Sequence, residues 1–86
     1  MRDHHLKIFK AFFHEKLFRR RADMGISQNE MANRLEMGCR TYVDLDHGKS
    51  SCGALTFALF LIYICDDPMA FLNDLRYALE NSDAEV

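Results

Sequence analysis

The side chains with reactive chemistry to offer are three cysteines, four histidines and a run of arginines, and their spacing argues against catalysis. Cys39, Cys52 and Cys65 are odd in number and form no C-x-x-C pair, so neither a disulfide framework nor a zinc ligand set is indicated. They read as buried or half-buried thiols in a reducing cytoplasm. His14-Glu15 is followed by no second histidine at metal-ligand spacing, no Gly-rich phosphate loop is present, and the nucleophiles lack a base at readable spacing. The expectation is a protein that is not an enzyme and has no cofactor and no metal, with its methionines and phenylalanines serving as core.

Charge points elsewhere. Residues 1–49 carry a net +3 and residues 50–86 a net −5, so any polyanion binding belongs to the first half, which also holds all four histidines. Arg19-Arg20-Arg21 invites a nucleic-acid reading, but successive residues on a helix point about 100° apart, and a solvated helix face is the ordinary alternative to phosphate contact. The N-terminus has no uninterrupted apolar region of the secretory kind. The apolar run from Ala54 to Cys65 falls short of the roughly 20 residues needed to cross a bilayer. A cytoplasmic protein without a membrane span is expected.

Apolar periodicity predicts an all-α chain, one domain over residues 1–86 with five helices. Leu6, Phe9, Phe13 and Leu17 recur on one face of a first helix over about 6–23, ended by Gly25. Ser27-Gln28-Asn29-Glu30 is a capping box, with Ile26 and Met31 placed as a hydrophobic staple, and Met31, Ala32 and Leu35 face inward. A third helix runs from about Cys39 to His47, burying Tyr42 and Leu45, with Gly48 as its stop. A fourth, over about 51–65, buries Leu55, Phe57, Phe60, Leu61 and Ile64, while Leu59, Ile62 and Tyr63 leave it apolar nearly all round. Asp67 caps a fifth helix over about 68–81 that has Pro68 in its first position and a stripe of Phe71, Leu72, Leu75 and Leu79, followed by a frayed tail at 82–86.

Within this order the segment from Gly25 to Lys49 is the most informative. Its two short helices flank a tight turn at Glu36-Met37-Gly38, so they cross steeply and the second is left to protrude, which is how a helix is offered to the major groove of DNA.

From about Leu17 to Leu72 the chain resembles the lambda-repressor-like helix-turn-helix family, which includes phage Cro proteins and many small bacterial regulators. Gly25-Ile26-Ser27-Gln28 looks like the family's approach to its second helix, and Ala32 and Leu35 fall on its small and apolar positions. Leu45-Asp46-His47-Gly48-Lys49 looks like the exit from its recognition helix, and Phe57, Phe60, Leu61 and Ile64 continue as its fourth helix. The resemblance implies a five-helix DNA-binding fold of bacterial or phage origin. It implies that Gln28 touches a phosphate and braces the recognition helix, that Cys39, Arg40 and Asp44 reach base edges, and that Thr41 and Lys49 contact the DNA backbone. Arg40 suits that role best, since a guanidinium can donate two bonds to guanine O6 and N7. Arg21 and Asp46 fall where some phage repressors have an interior ion pair.

Three residues depart from the family's pattern: Glu36 stands at its turn glycine, Gly38 at its serine or threonine cap, and Asp44 brings a carboxylate toward phosphates. A solvated Asp44 paired with Arg40 one turn back is the plain alternative. The reading that follows is a transcriptional repressor that binds double-stranded DNA as a homodimer on a palindromic operator, self-associating through apolar parts of the fourth and fifth helices, with the Phe-rich start of the first as a further candidate. The alternative is a protein-interaction module on the same fold, antitoxin-like or co-regulatory, supported by the acidic second half and the excess apolar surface.

Overall fold

The computed structural model describes the backbone of residues 2–84 and the side chains of residues 2–81. Every regular element among the described residues is helical, in the order α1 (Arg2–Met24), α2 (Gln28–Arg34), α3 (Cys39–Asp46), α4 (Ala54–Leu59), a π-helical turn (Phe60–Ile64) and α5 (Pro68–Ala84).

The first three helices end the same way. A left-handed residue follows each, Gly25 at φ +66°, Glu36 at φ +58° and Gly48 at φ +74°. The next N–H then reaches back five residues, from Ile26 to the Arg21 carbonyl, from Met37 to that of Ala32 and from Lys49 to that of Asp44. These bonds satisfy carbonyls that a helix end leaves open, and glycine adopts the required conformation without strain. Glu36 does so at a cost of about 1–2 kcal/mol, because its Cβ crowds the following carbonyl.

Helix starts follow their caps. The Glu30 N–H donates to the Ser27 hydroxyl at 3.1 Å, but the Glu30 carboxylate accepts from Arg34 Nε at 3.2 Å, so the reciprocal half of the capping box is replaced by an i,i+4 ion pair. Asp67 caps α5 by accepting from the Ala70 N–H at 3.1 Å. Gly38 precedes α3 and contributes no side-chain cap.

The core holds Phe13, Leu17, Met31, Ala32, Leu35, Tyr42, Leu45, Leu59, Phe60, Ile64 and Phe71. On the side formed by α1, the π turn and α5, aromatic rings carry the packing: Phe13 meets Phe60 edge-on at 5.1 Å, and Phe12 meets Phe71 edge-on at 5.2 Å. Met31, Ala32, Leu35, Tyr42 and Leu45 bring the α2–α3 pair onto the same core.

Several expected details differ. The first helix begins at Arg2, four residues before position 6, with Asp3 in the first turn favourable to the helix dipole. Leu6, expected on the buried stripe, is half-exposed. The fourth helix starts at Ala54, not 51, and turns π-helical from Phe60, where the Cys65 N–H bonds the Phe60 carbonyl at 2.7 Å. Leu59 is buried and Leu55, expected inside, is 67% exposed. Phe60 and Ile64 face inward as expected, and Ile62 and Tyr63 stay outside. Helix α5 continues through Ala84 where fraying was expected from 82, and the expectation for 85–86 lies outside the described residues.

Candidate functional site

Asp46, the last residue of α3, is 2% exposed and is the buried charge around which the α2–α3 pair is organised. Gln28 Nε2, at the first position of α2, donates to Asp46 Oδ2 at 3.0 Å, and the Tyr42 hydroxyl donates to Oδ1 at 3.1 Å from one turn earlier on α3. Arg21 approaches from the end of α1, its Nη2 lying 3.5 Å from Oδ2 and its Nη1 donating to the Ile26 carbonyl at 3.3 Å. Arg21 also lies over the Phe18 ring at 5.6 Å. Burial first, and then the charge of Asp46, push the Tyr42 phenol well above its ordinary pKa. The hydroxyl therefore remains a donor to Asp46 at any physiological pH.

This network fixes the exit end of α3 against α1 and α2. The opposite face of α3 is open: Cys39, Arg40, Thr41 and Asp44 are all exposed, and Lys49 is exposed just past the exit turn. Arg40 and Asp44 share a face at i,i+4, yet no ion pair joins them among the described residues. An exposed guanidinium on a rigidly held helix can make a bidentate contact to a planar acceptor pair, whereas Asp44 can only accept.

The sequence-derived assignments are not all brought together. Arg40, Thr41, Cys39, Asp44 and Lys49 lie along α3 and its exit, while Gln28 is turned inward, its amide N–H given to Asp46. The phosphate contact expected of Gln28 would require that donor to be shared or released. The triple arginine is absorbed by the fold. Arg19 pairs with Glu15 at 2.8 Å, Arg20 Nε donates to the Ile64 carbonyl at 2.7 Å at the end of the π turn, and Arg21 meets Asp46. Arg19 thus lies on a solvated helix face, and Arg20 departs from that reading by bonding the end of the π turn.

Two features escaped the sequence reading. Periodicity places Tyr42 in the core, and its i,i+4 spacing from Asp46 is the signal for a buried pair that periodicity does not carry. The second is a groove lined by Lys7, Lys10, Ala11, His14, His47 and Gly48, residues far apart in sequence.

Among the described residues no helix is long and apolar enough to cross a membrane, and no group of three or more His, Cys, Asp or Glu is placed to hold a metal ion. Comparison with protein-family models, with curated proteins and with solved structures returned no match.

Proposed function

We propose that this chain is a helix-turn-helix transcriptional regulator of the lambda-repressor-like kind, a repressor that presents α3 to the major groove of double-stranded DNA. The observation that carries this reading is the pairing of a clamped end with an open face. Asp46 holds the exit of α3 through Gln28, Tyr42 and Arg21, while Arg40 stands exposed on the outer side. A rigid helix with a free guanidinium suits recognition of guanine, with Thr41 and Lys49 steadying the backbone and Cys39 and Asp44 beside the bases.

Regulators of this design act as symmetric dimers, with recognition helices about 34 Å apart on successive turns of a palindromic site. The apolar side chains left outside on the π turn and α5, Ile62, Tyr63, Met69 and Leu72, with Leu55 at the start of α4, are the surface offered to a second copy.

The same apolar side chains, with Asp44 exposed on α3, favour a second reading: an interaction module whose partner is a protein. Electrophoretic or anisotropy titration with duplex DNA separates the two. A DNA binder loses affinity steeply with salt and loses base preference in Arg40→Ala. No salt-dependent binding to any duplex at low ionic strength selects the interaction reading.

A further inference from the structure

The first turns of α1 lie beside the exit of α3, where they form a surface of one sign. Lys7, Lys10 and His14 recur at i, i+3 and i+7 and so share a stripe of α1. Gly48 rests on that stripe: a Cβ there would lie 3.4 Å from Cγ of His14, and Lys10 Nζ donates to the Lys49 carbonyl at 3.4 Å. The exit turn is thereby held against α1, bringing His47 and Gly48 to the same groove with the Lys49 carbonyl at its edge.

No carboxylate lines this groove. The cleft on the other side of α1 differs, because there Lys16, Arg19 and Arg20 are opposed by Asp23, Asp66, Asp67 and Asp74. The nearest exposed acids to the groove in sequence are Glu15, which follows His14 and is paired with Arg19 at 2.8 Å, Asp3, one turn before Lys7, and Asp44, one turn before the exit of α3. Seven residues of helix span on the order of 10 Å, so the stripe suits a run of phosphates better than a single small anion.

We propose that this groove is a second nucleic-acid contact, binding the phosphodiester backbone of duplex DNA through Lys7 and Lys10, with His14 and His47 as hydrogen-bonding walls. It rests on the reading of the chain as a DNA-binding regulator and widens its footprint from α3 to α1. Phosphate contacts carry affinity and register without sequence information, so the groove anchors the protein while Arg40 reads bases. It also offsets the repulsion that Asp44 introduces.

The test compares the full chain with Lys7→Gln/Lys10→Gln and, separately, Arg40→Ala, by fluorescence anisotropy on random-sequence and selected duplexes between about 50 and 200 mM salt. The double variant is expected to bind all duplexes roughly tenfold more weakly at the low end, with a salt slope shallower by about 2, because each phosphate contact contributes about 0.9. Its sedimentation should be unchanged, and its thermal midpoint should fall only slightly, because the Lys10 bond to the exit turn is exposed and Gly48 still packs on His14. Unaltered affinity and slope in the double variant, while Arg40→Ala loses base preference, overturn the groove and leave the regulator reading standing. A wild-type chain that binds no duplex overturns both. Lost self-association in the double variant with unchanged DNA binding assigns the groove to a protein surface and overturns it also.

Discussion

Gln28 Nε2 donates to Asp46 Oδ2 at 3.0 Å, tying the first residue of α2 to the last residue of α3. A helix pair joined by a four-residue turn can still rock about that turn, and this bond closes the figure at its far end. Tyr42 and Arg21 complete the shell around the carboxylate. The orientation of α3, and so the direction in which Arg40 points, depends on a side chain that never faces outward.

Replacing Asp46 with Ala strands three donors, those of Gln28, Tyr42 and Arg21, around a carboxylate that is 2% exposed. Breaking a buried charged network this way costs about 3–5 kcal/mol, against under about 1 kcal/mol for an exposed pair. Urea unfolding of Asp46→Ala checks this, and a loss of a few tenths would show that the network contributes little.

Glu36→Gly should stabilise the protein. Relief of about 1–2 kcal/mol of left-handed strain is partly offset by about 0.5–1 kcal/mol of extra glycine entropy in the unfolded chain, so a gain of about 0.5–1 kcal/mol is expected. Glu36→Ala keeps the strain and should leave the midpoint nearly unchanged, which separates backbone strain from any effect of charge.

Alkaline pH should destabilise the fold. The folded pKa values of Tyr42 and Cys52 are raised, Tyr42 chiefly by burial and Cys52 by burial to about 11 from a reference value of 9.0. The folded state holds these protons where the unfolded chain would release them. Stability is therefore whole below about pH 9, declines first through Cys52, and above about pH 10 declines through Tyr42, by up to about 1.4 kcal/mol per pH unit for each group. Tyr42→Phe should flatten the slope above pH 10 and lower neutral stability by about 1.5–3 kcal/mol, the value of a hydrogen bond to a charged acceptor. Thiol labelling at pH 8 should modify exposed Cys39 before Cys52.

On DNA, Arg40→Ala should cost about 1–3 kcal/mol at the preferred site and relax specificity there. Asp44→Asn should do the opposite to general affinity, strengthening binding to every duplex by removing a repulsive charge. Equal affinity for preferred and scrambled duplexes in the wild-type chain would remove Arg40 from the recognition role.

Ile62→Glu should leave the fold intact, because the side chain is 68% exposed, and should convert a dimer to monomer in sedimentation. A wild-type monomer at micromolar concentration would argue against the symmetric-dimer reading.

Much of the architecture was legible because its causes are local. Ser27 caps α2, Asp67-Pro68 opens α5, and Gly25 and Gly48 end α1 and α3, all through bonds spanning a few residues. The inward set Phe13, Leu17, Met31, Ala32, Leu35, Tyr42 and Leu45 followed from helical period. The π turn was not legible, because no residue type announces an i to i+5 bond, and Leu55 is exposed although it stands i,i+4 from buried Leu59.

By itself, then, the sequence determined where helices start and stop and which stripe of each is apolar, since steric preference, capping and periodicity act over one or two turns. The tertiary structure alone decided what the polar side chains do. Gln28 at a helix start is equally suited to solvent, phosphate or a buried acid until Asp46, 18 positions away, arrives beside it. Arg20 becomes a cap for Ile64, and Lys7 and Lys10 gain His47 and Lys49 as neighbours, only when distant helices pack. Long side chains carry little local preference, so their partners are set by the fold that brings them into reach.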